Sequence, residues 1–462
     1  MFHKFFSWIR GVFMHLFQVK QDFGVEIATS SLMQQHIDLW QKMFLDQAPW
    51  LDDENKSLSL PAAITNEIAR LVMVENKIEL SGSRGDFLSE QLQPFLAELQ
   101  NNVEYAAAGG GMAFKPYIDG RQIKVDCVPA WRFFPIAFSG RNVIDALFLE
   151  PAQRGKLFYT RVERHTLTDT GYRIRNTAYR SYSENDAGTR CALSEVDAWA
   201  DIEPEVTLGY QDGTAPEREL FSYFRIPWAN NIEPHSPLGV SVLSRAESLI
   251  RQADLQYGRV LWEYEGGELA VDASVYALKK DEEGNLNMPK RDQRLFRGLN
   301  MDGPADGTGL YKVFSPTLRD ESLFNGLNQL LRRIEFNCGL SYGTLSDPQN
   351  VDKTAEEIRS SKQRSFNAVS AIQRSLQDSI EHLLWAIDFY ASLYHLAPNG
   401  NYEASFTWGD GILEDTDAEF IRRKQLVDSG YLGPEYLLSW YFGTTEEEAR
   451  KMMPDNTGLT FG

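Results

Sequence analysis

The sequence is poor in cysteine, with three in 462 residues, Cys127, Cys191 and Cys338, all far apart. No CxxC pair exists. A disulfide framework is therefore not expected, and a reducing compartment is the default. There is no stretch of about 20 apolar residues, the length a membrane-spanning helix needs. There is no basic excess either. The chain carries 46 Lys and Arg against 65 Asp and Glu, for a net charge of −19. That argues against a protein that grips nucleic acid through clustered phosphate contacts. It leaves open a protein that DNA merely passes.

The signatures of catalysis are missing as well. The one Gly-Lys pair, Gly155-Lys156, is followed by Leu157, and Glu150 stands where a phosphate loop needs its first glycine. Gly109, Gly110 and Gly111 fit a helix stop better than a dinucleotide fingerprint. The 7 histidines include no H-E-x-x-H and no pair at ligand spacing. Asp281, Glu283, Asn285 and Asp292 match part of a calcium loop, but Leu286 replaces its required glycine, and a surface turn is the simpler reading. Asp410, Glu414, Asp415, Asp417 and Glu419 form an acidic cluster. It reads as a solvated turn whose charge favours the start of the helix at Thr416. No G-x-S-x-G elbow is present. No cofactor, metal or catalytic residue is expected.

What is there is patterning. Phe2, Phe5, Phe6, Ile9, Phe13, Leu16 and Phe17 make one apolar face with Lys4 and Arg10 interspersed. This is an amphipathic helix without a cleavage site. A helix docked on a partner protein is preferred to an interfacial anchor. Helices are expected over Ala28–Leu45, Pro61–Val74 and Phe87–Ala108. A β-rich region follows, with strands at Phe114–Tyr117, Gln122–Val128, Val143–Leu149, Leu157–His165 and Tyr172–Tyr182. Asp119-Gly120 supplies a hairpin turn. Phe221–Ile226 is a further strand.

Val242–Tyr264 reads as a helix with Leu243, Ala246, Leu249, Ile250, Ala253, Tyr257 and Leu261 on one face. A small mixed insert, Glu268–Phe314, separates it from a second helix with Leu323, Leu327, Leu330, Leu331, Ile334 and Cys338. A polar loop follows, and then a rod of roughly forty residues, about 60 Å long. Its apolar positions are Ile358, Phe366, Val369, Ile372, Leu376, Ile380, Leu383, Ile387 and Tyr394. Thr354 with Glu357, Thr416 with Glu419, and Thr445 with Glu448 are capping boxes. Few small enzymes need such a rod, whereas large assemblies do. The fold class expected is α+β.

The order of these elements resembles the portal proteins of tailed phages of the siphophage type. Four pieces carry the resemblance and together cover most of the chain. The first is "AFKPYIDGRQIKVDCVPAWRFFPI" with "YTRVERH" and "YRIRNTAYRS". The second is "SPLGVSVLSRAESLIRQADLQYGRVLWEYE". The third is the short helix, loop and long helix. The fourth is "FTWGDGILEDTDAEFIRRKQLVDSGYLGPEYLLSWYFGTTEEEA". The resemblance implies a homo-oligomeric ring, commonly a dodecamer. It divides the chain into an amphipathic segment (1–27), a wing of helices and strands (28–240), a first stem helix (241–267), a clip (268–318) and a second stem helix (319–339). A tunnel loop (340–353), a long wing helix (354–398) and a crown (399–462) that is short for the family complete it.

The function it implies is a channel at the head vertex of the virion, assembled in the host cytoplasm, for DNA packaging and ejection. Implied partners are the terminase large subunit, major capsid and scaffold proteins, a head–tail adaptor and transiently held double-stranded DNA, with no membrane. Tyr342, Gln349, Asn350 and Lys353 would face the DNA, and Leu249, Leu327, Leu331 and Ile380 would pack stem, subunits or helices. Beside this reading, the acidic balance has two explanations, low friction on passing DNA or solubility. Two alternatives are kept: a head–tail adaptor or minor capsid component, and a hydrolase using a carboxylate pair such as Glu263 and Glu265. Those two residues point to different sides of a helix.

Overall fold

The computed structural model describes residues 23–183, 188–210, 212–267, 270–274, 296–299, 311–314, 316–347, 355–409, 416–442 and 444–453. The N-terminal amphipathic face and the calcium-like turn lie outside them. So do Thr354 and most of the acidic cluster. The side chains of Asp417 and Glu419 are likewise outside the description.

The fold is α+β, as expected from the patterning. Four helices come first: α1 (Ser31–Phe44), α2 (Leu60–Met73), α3 (Gly85–Ala97) and α4 (Leu99–Gly109). Sequence analysis expected a single helix over the last two. The chain instead turns at Glu98, whose N–H bonds back to the Phe95 carbonyl, and Pro94 is accommodated inside α3. The apolar spacing runs straight through the break, with Leu92, Phe95, Leu99 and Val103 all buried. The glycine stop falls where expected. α4 ends at Gly109 and Gly110 takes a left-handed φ of 93°, with its N–H on the Ala106 carbonyl.

The strands form two main layers. β2 (Gly111–Asp119) and β3 (Gln122–Pro129) make the expected hairpin, and β10 (Ser222–Arg225) pairs with β2 from the other side. β4 (Phe133–Ser139), β5 (Asn142–Arg154), β6 (Leu157–Thr168) and β7 (Gly171–Ser181) form an antiparallel meander, with β8 (Thr189–Cys191) and β9 (Glu205–Leu208) both pairing with β7. β1 (Lys77–Ser81) lies far earlier in the chain and pairs with β14 (Glu403–Thr407).

Next come α5 (Glu247–Gly266) and α6 (Asp320–Asn337), and between them the small sheet of β11 (Ala270–Ser274), β12 (Phe296–Leu299) and β13 (Tyr311–Phe314). The helix expected from Val242 starts later. Val242, Leu243 and Ala246 are still buried, but in turns.

The rod is α7 (Ala355–Leu393), 39 residues long and about 58 Å at ~1.5 Å per residue. Val369, Ile372, Leu376, Ile380, Leu383 and Ile387 are buried, the three- and four-residue steps of one apolar stripe. Tyr394 was expected to continue that stripe. It is instead exposed beyond the helix end, and Phe389 and Tyr390 fill the last turn of the core. Along its length α7 is tied to the strands and helices it crosses. Gln373 Nε2 donates to the Val72 carbonyl (3.1 Å), and Ser375 Oγ to that of Arg225 (2.7 Å). At its end, buried Arg84 donates to Asp388 and Ser392, both at 2.6 Å. The chain closes with α8 (Thr416–Asp428), α9 (Pro434–Phe442) and α10 (Glu446–Met452). The capping box of Thr445 and Glu448 is formed.

Candidate functional site

Of the residues singled out from sequence, Leu249, Leu327, Leu331 and Tyr342 lie on the α5–α6 pair and the loop after it. The start of α5 is fixed to the helical layer. Glu247 accepts from His36 Nδ1 (3.0 Å) and Trp40 Nε1 (2.5 Å). That hydrogen bond raises the pKa of His36. About two turns on, buried Asp254 accepts from Trp50 Nε1 (2.8 Å) and the Leu58 N–H (3.0 Å). Burial pushes the Asp254 carboxyl up, against those two bonds. Two carboxylates on one helix therefore set its direction against α1 and the segment that leads into α2.

The far end of α5 meets the start of α6, so the two helices run antiparallel. Glu263 accepts three bonds from Arg319, from its backbone N–H (3.0 Å), Nε (3.1 Å) and Nη2 (2.7 Å). These hold the Glu263 carboxyl below the usual carboxylate range. Tyr264 Oη lies 3.5 Å from Asp320 Oδ2, and Gln256 Nε2 donates to the Leu323 carbonyl at 3.3 Å. Leu327 and Ile334 are buried along the pair, and Leu249 and Leu331 are half-buried against the same core. Ile380 is fully buried in α7. Of the carboxylate pair weighed as an alternative, Glu263 is engaged by Arg319. Glu263 has a structural partner, while Glu265 is exposed.

Beyond α6 the chain turns at Gly339, whose φ is +74°. Burial of Cys338 raises its thiol pKa. The loop that follows was expected to be a flexible connector, and residues 340–347 are anchored from both neighbouring helices. From α6, fully buried Glu335 accepts from the backbone N–H groups of Leu345 (2.7 Å) and Ser346 (2.8 Å) and from Ser346 Oγ (2.9 Å). Asn328 Oδ1 accepts from the Asp347 N–H at 2.8 Å. From α7, Ser361 Oγ accepts from the Tyr342 N–H at 2.8 Å, and Arg364 Nη2 donates to the Leu340 carbonyl at 3.2 Å. The Arg364 guanidinium also lies over the rings of Phe336 (4.5 Å) and Tyr342 (5.1 Å), close enough for cation–π attraction. Tyr342 is thus a half-buried partner of Arg364. Gln349, Asn350 and Lys353 lie outside the described residues.

Sequence reasoning missed Glu335, Asn328 and Arg364. A signal for the first two exists. They sit seven residues apart on the buried stripe of α6, where a polar side chain is expected only if something satisfies it.

A cleft of about 280 Å³ lies between α7 and the β4–β5 turn, lined in part by Arg141, Arg225, Glu219, Asp378 and His382. Its charges are mixed, and His382 Nε2 donates to the Glu219 carbonyl at 2.9 Å. Among the described residues no three potential metal ligands come together, and no helix is long and apolar enough to cross a membrane.

No family model matches the chain, and no curated protein matches it. Among solved structures it is similar to a chain from the "Neck of native GTA particle computed with C12 symmetry". The likeness has a TM-score of 0.42 and 10% identity, over 89% of this chain and 94% of that chain. The α+β class rests on the elements described above rather than on this likeness.

Proposed function

We propose that this chain is one subunit of a portal ring at the head vertex of a tailed phage. The observation that carries the reading is the α5–α6 pair. It is antiparallel and clasped at one end by Arg319 and Glu263. Segment 268–315 issues from that clasped end, and the loop at 340 and the rod α7 follow from the other. A clasped pair of rods can stand beside copies of itself around a closed ring, and α7 keys it to a broad body. In this reading the pair is the stem, 268–318 the clip that receives the terminase large subunit, and 340–353 the loop facing double-stranded DNA. The body meets capsid and scaffold proteins, and a head–tail adaptor joins after packaging. The chain itself does no catalysis, and ATP turnover belongs to the motor it receives. Native mass measurement and negative-stain imaging of the purified chain test this. A closed ring with a central channel is expected, and a monomer at micromolar concentration overturns the reading.

A further inference from the structure

The sheet of β10, β2 and β3 ends on β3, so one side of that strand meets no other strand among the described residues. The register fixes which groups face out there. On the β10 side the Ile226 N–H bonds to the Gly110 carbonyl, and backbone direction alternates along an antiparallel strand. Even-numbered residues of β2 therefore turn to β10 and odd-numbered ones to β3. Across the hairpin Tyr117 is registered with Lys124 and Lys115 with Asp126. That leaves the backbone N–H and C=O groups of Ile123, Val125 and Cys127 on the outer edge. Gln91 Oε1, reaching from α3, accepts from the Ile123 N–H at 2.8 Å, in the place a further strand's carbonyl would hold. Among the described residues no acceptor takes up the N–H of Val125 or Cys127.

A groove of about 480 Å³ lies along this edge, between β3 and the α3–α4 corner. Pro94, Phe95, Tyr105 and Tyr117 line it, and the two tyrosines are 43% and 44% exposed. Its charge has one sign. From Gly85 to Gly109, α3 and α4 carry Asp86, Glu90, Glu98 and Glu104 and not one Lys, Arg or His. Glu90 and Glu98 line the groove and are exposed. Glu98 accepts from Asn101 Nδ2 at 2.7 Å, and no cation among the described residues holds either carboxylate. The one base lining the groove, Lys124, is already paired with Asp119, and Arg121 stands beyond it on the hairpin turn. We infer that β3 takes a further strand here, an extended segment of a partner protein in which Lys or Arg alternates with apolar residues. Its backbone bonds to Val125 and Cys127, its bases meet Glu90 and Glu98, and its apolar side chains lie against Tyr105 and Tyr117. Strand addition of this kind draws affinity from main-chain bonds and specificity from the flanking side chains. The site stands whether or not the chain forms a ring.

The test titrates the full-length chain into a fluorescein-labelled peptide of alternating valine and lysine, read by anisotropy. Salt is held at ~0.15 M, which screens the distant acids of a chain with a net charge of −19. The lysine peptide should bind about tenfold or more tighter than its valine–glutamate twin. Methylating its backbone nitrogens keeps the charge and removes the donors, and should weaken binding about tenfold or more. Glu90→Gln with Glu98→Gln, both at exposed positions, should weaken it about three- to tenfold. Hydrogen exchange over 122–129 should slow when the peptide is bound. No binding of the lysine peptide, equal binding of the methylated one, or unchanged exchange over 122–129 overturns the strand addition. Affinity unmoved by the double variant, or equal for the glutamate twin, overturns the basic partner. Protection of 122–129 that arises on self-assembly without the peptide, and that shuts the peptide out, gives the edge to a second copy and overturns the partner protein.

Discussion

Asp38 is an ion placed at some cost. Its Oδ2 lies 3.0 Å from Lys42 Nζ, while its Oδ1 is buried without a hydrogen-bond partner. Burial outweighs the attraction to Lys42 and pushes the carboxyl up to about 6. In the unfolded chain an aspartate titrates near ~3.9. Between those values the folded state holds more protons than the unfolded one. Stability therefore falls as pH rises from about 4 to about 6 and stays low above that. Asp38→Asn should remove that slope and stabilise the chain at pH 7 by up to about 2 kcal/mol. Urea denaturation at several pH values reads the effect, and a slope that survives the substitution belongs to another group.

Glu163 has the opposite sign. It is buried at 2.6 Å from Lys115 Nζ and 3.1 Å from Arg161 Nη1, and His165 Nε2 donates to it at 2.6 Å. Burial alone would raise its pKa, but the two cations and His165 hold it well below the ordinary range. Its contribution is present above an ordinary glutamate value of ~4.3 and is lost as pH falls through the depressed one. Glu163→Gln leaves two buried cations short of their anion and should cost about 3–5 kcal/mol. A melting temperature within a degree of wild type would show that the cations find other partners.

At the scale of elements, α5 and α6 stand or fall as a pair. Leu331→Asp puts a charge into their half-buried seam, and a loss of about 2–4 kcal/mol is expected together with loss of assembly. Rings of normal stability in that variant would remove the stem assignment. The rod answers to packing in the ordinary way. Ile380→Ala empties a fully buried site and should cost about 2–5 kcal/mol by thermal or denaturant unfolding. These elements were legible because one face of each repeats in steps of three and four. β4 was not legible. Phe133–Ser139 is a continuous apolar run around Pro135, and its register shifts on either side of Ala137 hide any alternation. β1 and β14 were missed for another reason. Each is a short ribbon strand whose only pairing partner lies more than 300 residues away, and no local pattern announces such a partner. The anchors of the loop at 340 lay outside any motif. Their meaning depends on which backbone N–H groups the fold brings to Glu335.

At the scale of the whole molecule, the portal proposal makes that loop the element that separates assembly from transport. Deleting Asp347 to Asn350 removes the bond from Asp347 to Asn328 but leaves the Glu335 and Arg364 anchors in place. Rings of normal mass should form, and packaging of DNA in the complete particle should be slowed or shortened. Full-length packaging at the wild-type rate would reduce the loop to a linker. The net charge of −19 bears on the same passage. In the proposed channel a wall poor in Lys–phosphate contacts would release few counterions and hold DNA weakly, while solubility alone accounts for the same charge equally well.

The pairing of β1 with β14 reaches into time as well as space. Lys77 is registered against Thr407, and Arg84 is paired with Asp388, so the first helical layer is sealed by residues made more than 300 positions later. At ~5–20 residues per second, a ribosome needs roughly 15–65 s to travel from one strand of the ribbon to the other. Through that interval the growing chain holds an unfinished fold, and closing so long a loop is slow in its own right. The ribbon and the Arg84–Asp388 contact therefore close late, once both of their chain segments have been made.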